Sequence, residues 1–333
     1  MKPAVDQLVG ASARAVPELM FDASEATTLD PQASHGLNDV LQGKRAAQRR
    51  AQEQQVPSRL SQLQLSDLLL PVSLLVLLFV AACAAFPGAI APYLPTDMRT
   101  EAILSAPGAA HWFGTDQFGR DVFSLVVYGA RQSVLIGIFA VLISCSIGAS
   151  IGLTAGYAGG WLDSVLMRLV DIWLAVPNIL LAIALSTVLG PSLVNTIFAI
   201  SIAAIPRYAR VLRGQALSVR NRPFIEASRA AGASHFAILR RHVLPHCSVQ
   251  IMVLATLGVG SSILIGSGLS FLGLGVNDEC PDWGYLLTQG RGYLTVAWWT
   301  VTYPGLAITS MVVSVNLLGD ALRRRFDPRT GPR

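Results

Sequence analysis

Charged side chains are scarce in this sequence of 333 residues, of which they make up only 14%. Soluble globular domains usually contain about 25% charged residues, because a packed core needs a charged surface around it. Hydrophobic residues account for 52% of the chain, and the mean hydropathy is +0.51. The shortage of charge argues against a soluble enzyme and indicates a chain that is largely surrounded by lipid.

Paired cysteines and a phosphate-binding loop are missing as well. The cysteines are widely separated and form no CxxC pair, so neither a zinc site nor a disulfide framework is indicated. They are Cys83, Cys145, Cys247 and Cys280. A P-loop requires GxxxxGK followed by Ser or Thr, but the one Gly-Lys pair, Gly43-Lys44, is followed by Arg45. We therefore expect this chain to bind no cofactor and to leave ATP to a partner.

Catalytic and metal-binding patterns are incomplete. His242 and His246 stand four residues apart, but Val243 occupies the position of the glutamate in HExxH. Ser270 lacks the final glycine of GxSxG, because Leu272 stands there. The sequence therefore predicts a chain that is not an enzyme, with no catalytic residues and no metal site.

The first 66 residues differ in composition from the rest and contain no sustained apolar period. Acidic residues dominate 1–43, and basic residues dominate 44–59. Such a polar segment cannot bury enough apolar surface to offset its ordering entropy. We expect a cytoplasmic N-terminal extension over 1–66, disordered in 1–43 and with a basic surface helix in 44–66. No apolar stretch follows the first residues, which argues against a cleavable signal peptide.

Several runs are long and apolar enough for membrane-spanning helices, which need about 20 mostly apolar residues. They cover 67–87, 132–157, 164–189, 192–212, 248–273 and 300–321. Glycine and serine recur within the second and fifth runs, and small residues at such spacings let helices approach closely in membranes. Gly190-Pro191 is a turn signal that separates the third run from the fourth. The sequence predicts an all-α polytopic membrane protein with six transmembrane helices in residues 67–322.

The basic residues, 25 in all against 20 acidic ones, are almost all arginine and concentrate in alternate connections between the predicted spans. With a cytoplasmic N terminus, the inner segments include 44–59, 207–241 and a basic tail, 323–333. The outer segments carry few arginines: Arg99, Arg120, Arg131 and Arg291. Cytoplasmic segments of membrane proteins carry such an excess. We expect a multi-pass protein of the bacterial cytoplasmic membrane with both termini in the cytoplasm and no nucleic-acid partner.

The longest inner segment, residues 221–247, carries the start and stop signals of two short helices. Pro223 suits the first turn of a helix, and Gly232 suits a left-handed residue at its end. Ser234 can cap a second helix, which we expect Pro245 to end. These features predict a helix–turn–helix element at the membrane face, which we call the bracket. A solvated loop that merely joins two spans fits the same features equally well.

The bracket resembles the EAA loop in the permease subunits of bacterial ABC importers. The matching positions are Glu226, Ala227, Ser228, Gly232, Leu244 and Pro245. Ser228 stands where that family usually has alanine. The resemblance implies that the bracket docks into a groove on an ATPase subunit, where Glu226 orients the helix. It also implies that Ala227 and Gly232 permit close approach, and that Pro245 fixes the exit into the fifth span.

Other stretches narrow the resemblance to importers of dipeptides, oligopeptides and nickel. The family motif before the second span is matched at Gly114, Thr115, Asp116, Gly119, Arg120 and Asp121. Four strings resemble the C-terminal half of the same permeases: 269–275, 283–284, 316–320 and 327–329. Trp112 and Leu125 depart from the residues that are common beside the Gly-Thr-Asp segment. The chain is most similar to the dipeptide-type "C" permease.

This resemblance implies a division of labour between several chains. A second homologous permease completes the pathway through the lipid membrane, and an extracytoplasmic substrate-binding protein delivers the substrate. Two ATPase subunits or domains bind ATP and Mg²⁺. The implied substrates are dipeptides or longer peptides, with nickel, glutathione-like peptides or another small solute as alternatives. A stand-alone secondary transporter is a further alternative, although the sequence contains no second copy of the bracket.

A few polar and aromatic residues beside the spans invite specific predictions. Arg168 and Asp171 fall at i and i+3 and are expected to pair. Trp298 and Trp299 are typical of the headgroup belt. A candidate surface for the external binding protein consists of Asp278, Glu279, Asp282 and Trp283. The sequence does not indicate which residues line the substrate pathway.

Overall fold

The computed structural model describes residues 59–276 and 281–326, with side chains from residue 69 onward. The chain separates into two units, 1–63 and 64–333, and the architecture below is that of the second unit. Most of the predicted extension, the end of the predicted tail, and the acidic residues Asp278 and Glu279 lie outside the described residues.

All the regular elements in the described residues are helices, and an isolated bridge joins Thr115 to Asp121. The α-helices are α1 (Arg59–Ala85), α2 (Pro87–Ile90), α3 (Val122–Ala158), α4 (Gly160–Leu174), α5 (Asn178–Leu189), α6 (Leu193–Arg220), α7 (Pro223–Ala230), α8 (His235–Ile238), α9 (Leu244–Phe271), α10 (Trp283–Gly290) and α11 (Trp299–Phe326). A π-helical turn, Leu239–Val243, joins α8 to α9. The predicted all-α fold is confirmed.

Three continuous helices in the described residues are long and apolar enough to cross a membrane. They are Val122–Ala158, His235–Phe271 and Trp299–Phe326. The helix α6 contains the predicted fourth span, but it also carries several arginines along its second half. The described apolar part of α1, Leu69–Ala85, is shorter than these three. The membrane-spanning character is therefore clear for three helices, and the total of six spans stays a prediction.

The third predicted span, 164–189, is not one straight helix. It is divided between α4 and α5, whose axes are bent by 80° at a short break. Pro177 lies at the break with φ −55° and ψ 130°, directly before α5 begins. A proline disfavours helical conformation in the residue before it, here Val176, so the helix ends there. The predicted turn at Gly190-Pro191 does separate α5 from α6.

The helices α3 and α6 pack closely because glycines of α3 meet the backbone of α6. A methyl group at Gly152 would lie 2.3 Å from the carbonyl oxygen of Ala209. A methyl group at Gly156 would lie 2.6 Å from the carbonyl oxygen of Arg213. Neither distance leaves room for a side chain, so the glycines allow a contact that alanine would prevent. This is the role that small residues have in membrane helix packing.

Candidate functional site

The first half of the bracket is a short helix with well-defined ends. Its first residue is Pro223, whose missing N–H costs no hydrogen bond in a first turn. At the other end, Gly232 has φ +80°. The N–H of Gly232 donates to the carbonyl of Arg229 at 2.9 Å, and the N–H of Ala233 donates to the carbonyl of Ser228 at 3.1 Å. This pair of hydrogen bonds is the Schellman ending of a helix, which requires the left-handed conformation of Gly232.

The second half of the bracket runs directly into the next long helix. The Ser234 Oγ accepts a hydrogen bond from the N–H of Ala237 at 3.3 Å and so caps α8. The π-helical turn follows, and Pro245 lies in the first turn of α9. Together these segments form one helix of 37 residues, His235–Phe271. The expectation that Pro245 ends the second helix is wrong, because the helix continues through Pro245, directly after the π-helical turn Leu239–Val243.

An apolar face anchors the bracket to the ends of α3 and α6. Ile225, Ile238 and Val243 each have an exposed fraction of 0%. They belong to one cluster with residues of α3 and α6: Leu153, Tyr157, Leu212, Ala216 and Val219. Full burial of a valine or isoleucine side chain stabilises a fold by about 1.5–3 kcal/mol. The bracket is therefore a packed element of the fold and not a solvated connection.

The opposite face of the bracket is exposed. The exposed residues among those predicted for the coupling role are Glu226, Ala227, Gly232, Leu244 and Pro245. Ser228 is half-buried, and its hydroxyl donates to the carbonyl of Phe224 at 2.8 Å. A methyl group at Gly232 would meet no atom within 4 Å. Within this chain, Gly232 is explained by its backbone conformation, and its role in close approach to a partner stays a prediction.

The histidines of the bracket contact their own segment. His246 Nδ1 lies 2.7 Å from the carbonyl oxygen of His242, and His242 Nε2 lies 3.4 Å from Ser228 Oγ. The ring of His246 stacks on Phe224 with centroids 4.9 Å apart. No group of three His, Cys, Asp or Glu side chains that would suit a metal ion occurs within 59–276 and 281–326.

The predicted motif before the second span forms a buried loop at the start of α3. We call residues 111–121 the polar loop. The Asp116 carboxylate accepts hydrogen bonds from the N–H of Phe118 at 2.8 Å, the N–H of Arg120 at 2.9 Å and the Arg120 Nε at 2.7 Å. The Arg120 guanidinium also donates to Gln289 Oε1 in α10 at 2.7 Å. Because Asp116 and Arg120 are 4% and 6% exposed, this ion pair replaces their hydration with internal contacts.

Close packing explains both glycines of the polar loop. Gly114 and Gly119 each have φ +72°. A methyl group at Gly119 would lie 1.8 Å from the carbonyl oxygen of Arg99, and one at Gly114 would lie 2.7 Å from Trp299 Nε1. The indole N–H of Trp299 donates to the carbonyl of buried Thr115 at 3.0 Å. The expectation that Trp299 belongs to the headgroup belt is therefore wrong, since its ring is buried against the polar loop.

The last residue of the polar loop caps α3. The Asp121 carboxylate accepts hydrogen bonds from the N–H of Ser124 at 2.8 Å and from its hydroxyl at 2.7 Å. Its other oxygen lies 2.9 Å from His111 Nδ1. Asp121 is itself buried. The matched motif before the second span is thus a support for the beginning of α3, while the bracket packs against the end of the same helix.

Ion pairs between α4 and α6 were not predicted. The Arg213 guanidinium donates two hydrogen bonds to the Asp163 carboxylate, at 2.6 and 2.7 Å. Asp171 pairs with Arg210 of α6. The predicted pair of Arg168 with Asp171 is wrong, because the neighbouring helix supplies the cation that binds Asp171. Sequence spacing within α4 carries no information about that contact.

Two residues of the predicted surface for an external binding protein, Asp282 and Trp283, are buried and do not belong to that surface. Asp282 and Trp283 have exposed fractions of 0% and 1%, so neither faces solvent. Asp282 caps α10 by accepting the N–H of Tyr285 at 3.2 Å, and Trp283 Nε1 donates to the carbonyl of Val126 at 2.8 Å. Burial raises the pKa of Asp282 to about 6, despite the hydrogen bonds to its carboxylate.

Comparisons with known proteins bear on the whole of this arrangement. The family model described as "Binding-protein-dependent transport system inner membrane component" matches residues 148–332, which include the bracket. The chain belongs to this family. The permease is thus a subunit of a membrane transport system, and its resemblance to ABC importer permeases is confirmed.

Curated relatives resemble the permease over most of their length. It is 46% identical over 226 residues to the dipeptide transport system permease protein DppC of Alkalihalophilus pseudofirmus, covering 68% of this chain and 74% of the relative. It is 42% identical over 262 residues to the di/tripeptide transport system permease protein DppC of Pseudomonas aeruginosa, covering 77% of this chain and 86% of the relative.

A solved structure of the MetNI methionine ABC transporter in an inward-facing conformation resembles the permease in fold. The TM-score is 0.51 and the sequence identity is 20%, with coverage of 60% of this chain and 95% of the matched chain. At this identity the likeness concerns the fold alone, and it agrees with the all-α architecture of the permease.

Proposed function

We propose that this permease is one of two permease subunits of an ATP-driven importer of dipeptides or short peptides. We propose further that the bracket is its contact with an ATPase subunit. The main support for this proposal is the way in which the bracket is packed and connected. Its apolar face is fully buried against α3 and α6, its outer face is exposed, and its second half is continuous with a helix of 37 residues.

This construction suits the transmission of a movement. An element that is packed on one side cannot yield locally without losing buried apolar contacts, so force on its outer face displaces it as a unit. The continuous helix His235–Phe271 carries that displacement into the predicted membrane region. Closure of an ATPase against the exposed face of α7 would then tilt the helices that bound the pathway.

The remaining parts of the proposal follow from the family. The second permease subunit, two ATPase subunits or domains that bind ATP and Mg²⁺, and an extracytoplasmic substrate-binding protein complete the importer. Both termini and the bracket lie in the cytoplasm, since arginines concentrate in those segments. The peptide substrate is supported by the relatives from Alkalihalophilus pseudofirmus and Pseudomonas aeruginosa, which are permeases of dipeptide and di/tripeptide transport systems.

A charge reversal on the exposed face of α7 tests the coupling role. The permease carrying Glu226→Lys is co-expressed with its partner permease, ATPases and binding protein, and the complex is reconstituted into proteoliposomes. We expect the ATPases to dissociate during purification and ATP-driven peptide uptake to be lost. Asp97→Lys makes the same change at an exposed residue beyond the other end of α3 and should keep the ATPases bound. Normal ATPase binding and uptake with Glu226→Lys would refute the proposal.

The substrate and energy source need a separate test. Mass spectrometry of the ligand retained by the cognate binding protein should identify a peptide of two or a few residues. Uptake of that peptide by the reconstituted complex should require ATP. Retention of a nickel complex would show that the substrate is nickel and not a peptide. Uptake by the permease alone under an ion gradient would favour a secondary transporter.

A further inference from the structure

The helix α4 exposes two different faces along its length. The first face carries large apolar side chains at helical spacing, and all of them are exposed: Trp161, Val165, Leu169 and Ile172. Together with its bent continuation α5, this helix is apolar enough to count as a membrane span. Lipid tails are as apolar as these side chains, so we take this face of α4 to lie against lipid.

The second exposed face of α4 is polar or small. Its residues recur at the same helical spacing: Ser164, Arg168, Asp171 and Ala175. The neighbouring helix α6 carries a similar exposed row, which consists of Arg207, Arg210, Gly214 and Ser218. An ion pair between Asp171 and Arg210 joins the two rows. We call the two rows together the polar wall.

The ion pair that joins the two rows is not covered by the chain itself. The side chains of Arg210 and Asp171 are 56% and 57% exposed. Asp171 lies between Leu169 and Ile172 in the sequence, so it lies at the same depth as side chains that face lipid. A charged side chain at such a depth is costly against lipid, and it almost always faces the protein interior or a water-filled cavity. The surroundings of the polar wall are therefore polar, in contrast to those of the apolar face.

Unpaired arginines favour water over another protein surface beside the polar wall. Within the described ranges 59–276 and 281–326, neither Arg168 nor Arg207 forms an ion pair with a carboxylate. Burial of such arginines against another subunit would cost their hydration without supplying a partner from this chain. Contact with water carries no such cost.

We propose that the polar wall lines the water-filled pathway through which the substrate crosses the membrane. A short peptide carries an ammonium group and a carboxylate. The polar wall offers a charge of each sign, and its arginines can donate charge-assisted hydrogen bonds to the carboxylate. The assignment of the pathway to peptides rests on the proposed function.

Spin labels on neighbouring residues of α4 test this assignment. Ser164→Cys and Asp171→Cys place a label on the polar wall, whereas Val165→Cys and Ile172→Cys place one on the apolar face. Each variant is assembled with its partner permease and ATPases in lipid nanodiscs, and the signal of the unaltered permease is subtracted. The relaxation of each label is measured with dissolved oxygen, which enters hydrocarbon, and with chromium oxalate, which stays in water.

We expect chromium oxalate to collide about tenfold more often with the two labels on the polar wall, because water reaches only that face. Oxygen should show the opposite order. Equal collision rates on the two faces would overturn the proposal. Labels on the polar wall that neither reagent reaches would indicate packing against another subunit and would overturn it as well. Access of chromium oxalate to the labels on the apolar face would place α4 at the level of the headgroups, with the same consequence.

Controls keep this result separate from folding and from the coupling proposal. Asp97→Cys carries an exposed label outside the predicted spans and should be reached by chromium oxalate. Ser164→Cys exchanges one small group for another and leaves the ion pair of Asp171 intact, so its result stands even if Asp171→Cys fails to assemble. The measurement requires neither nucleotide nor substrate. A failed coupling test with Glu226→Lys would therefore leave the polar wall unaffected, and equal collision rates would overturn the polar wall whatever that variant does.

Discussion

The polar loop and the bracket lie at opposite ends of α3 and are stabilised in opposite ways. In the polar loop the charged groups are buried and bind one another, as Asp116 and Arg120 do at 2.7 Å. In the bracket the buried residues are apolar, and charged residues such as Glu226 and Arg229 are exposed. Buried charge is stable only with its partners in place, whereas exposed charge is free to meet another molecule. The polar-loop end of α3 is therefore held by internal contacts, whereas the bracket end presents exposed charged groups that another molecule can contact.

The largest effect should come from breaking the ion pair of the polar loop. Asp116→Ala leaves the buried Arg120 without its carboxylate, which should lower the free energy of unfolding by about 3–5 kcal/mol. Thermal unfolding of the purified permease in detergent measures the change. Asp97→Ala removes an exposed carboxylate outside the polar loop and should be nearly neutral. Equal stability of the two variants would contradict the conclusion that the buried ion pair of the polar loop stabilises the fold more than an exposed carboxylate does.

Alanine at two left-handed glycines sharpens the comparison. Gly119→Ala combines an unfavourable φ with a clash against Arg99, and we expect a loss of about 2–5 kcal/mol. Gly232→Ala has the same conformational cost but open space around it, so the loss should be about 1–2 kcal/mol. Gly268→Ala, in a helix with no atom within 4 Å of the new methyl group, serves as the control. A loss at Gly232 as large as that at Gly119 would contradict the difference.

A pH dependence should distinguish the buried acid of α10. The pKa of folded Asp282 is raised to about 6 from an ordinary value of 3.8. The folded state therefore binds a proton more tightly than the unfolded state does. As a result, the free energy of unfolding decreases as the pH rises from 4 through 6. Asp282→Asn can still cap the helix but does not ionise.

The stability of this variant relative to the unaltered permease should therefore increase between pH 4 and pH 7 by about 2–3 kcal/mol. Denaturant unfolding at a series of pH values in detergent measures this difference. A difference that stays constant over that range would show that Asp282 titrates normally.

The smallest effect is expected within the bracket itself. The Ser228 hydroxyl donates to a carbonyl of its own helix, and removing it leaves that carbonyl in the helical hydrogen-bond pattern. Ser228→Ala should change the free energy of unfolding by less than about 0.5 kcal/mol and should leave ATPase binding intact. A loss above 1 kcal/mol would indicate that the contact of Ser228 with His242 stabilises the bracket.

The parts of the fold that local signals determine were predicted well. The ends of α7 follow from Pro223 and Gly232, and the start of α8 follows from Ser234, because each signal acts within about one helical turn. Prolines were harder to interpret. Pro245 was expected to end a helix, but the helix His235–Phe271 continues through it, whereas Pro177 ends a helix inside a predicted span.

Contacts between residues far apart in the chain could not be predicted from the sequence. Arg120 meets Gln289 across 169 positions, and Asp171 meets Arg210 across 39. Spacing along one helix suggested Arg168 as the partner of Asp171, since only local neighbours are visible in a single sequence. The motif at 114–121 resembles a family pattern, but its physical role as a cap and packing device for α3 depends on partners elsewhere in the chain.

Because the second half of the bracket is continuous with α9, the resulting helix is longer than the hydrocarbon layer of a bilayer is thick. The helix His235–Phe271 has 37 residues, which at 1.5 Å each span about 55 Å. A hydrocarbon layer is about 30 Å thick, so a helix of this length standing perpendicular to it would extend roughly 25 Å beyond it. Turning such a rod by about 10° around its middle moves its tip by about 5 Å, comparable to the rise of one helical turn. Under the proposed coupling, a small rotation of this helix would therefore be enough to displace the bracket by about one helical turn.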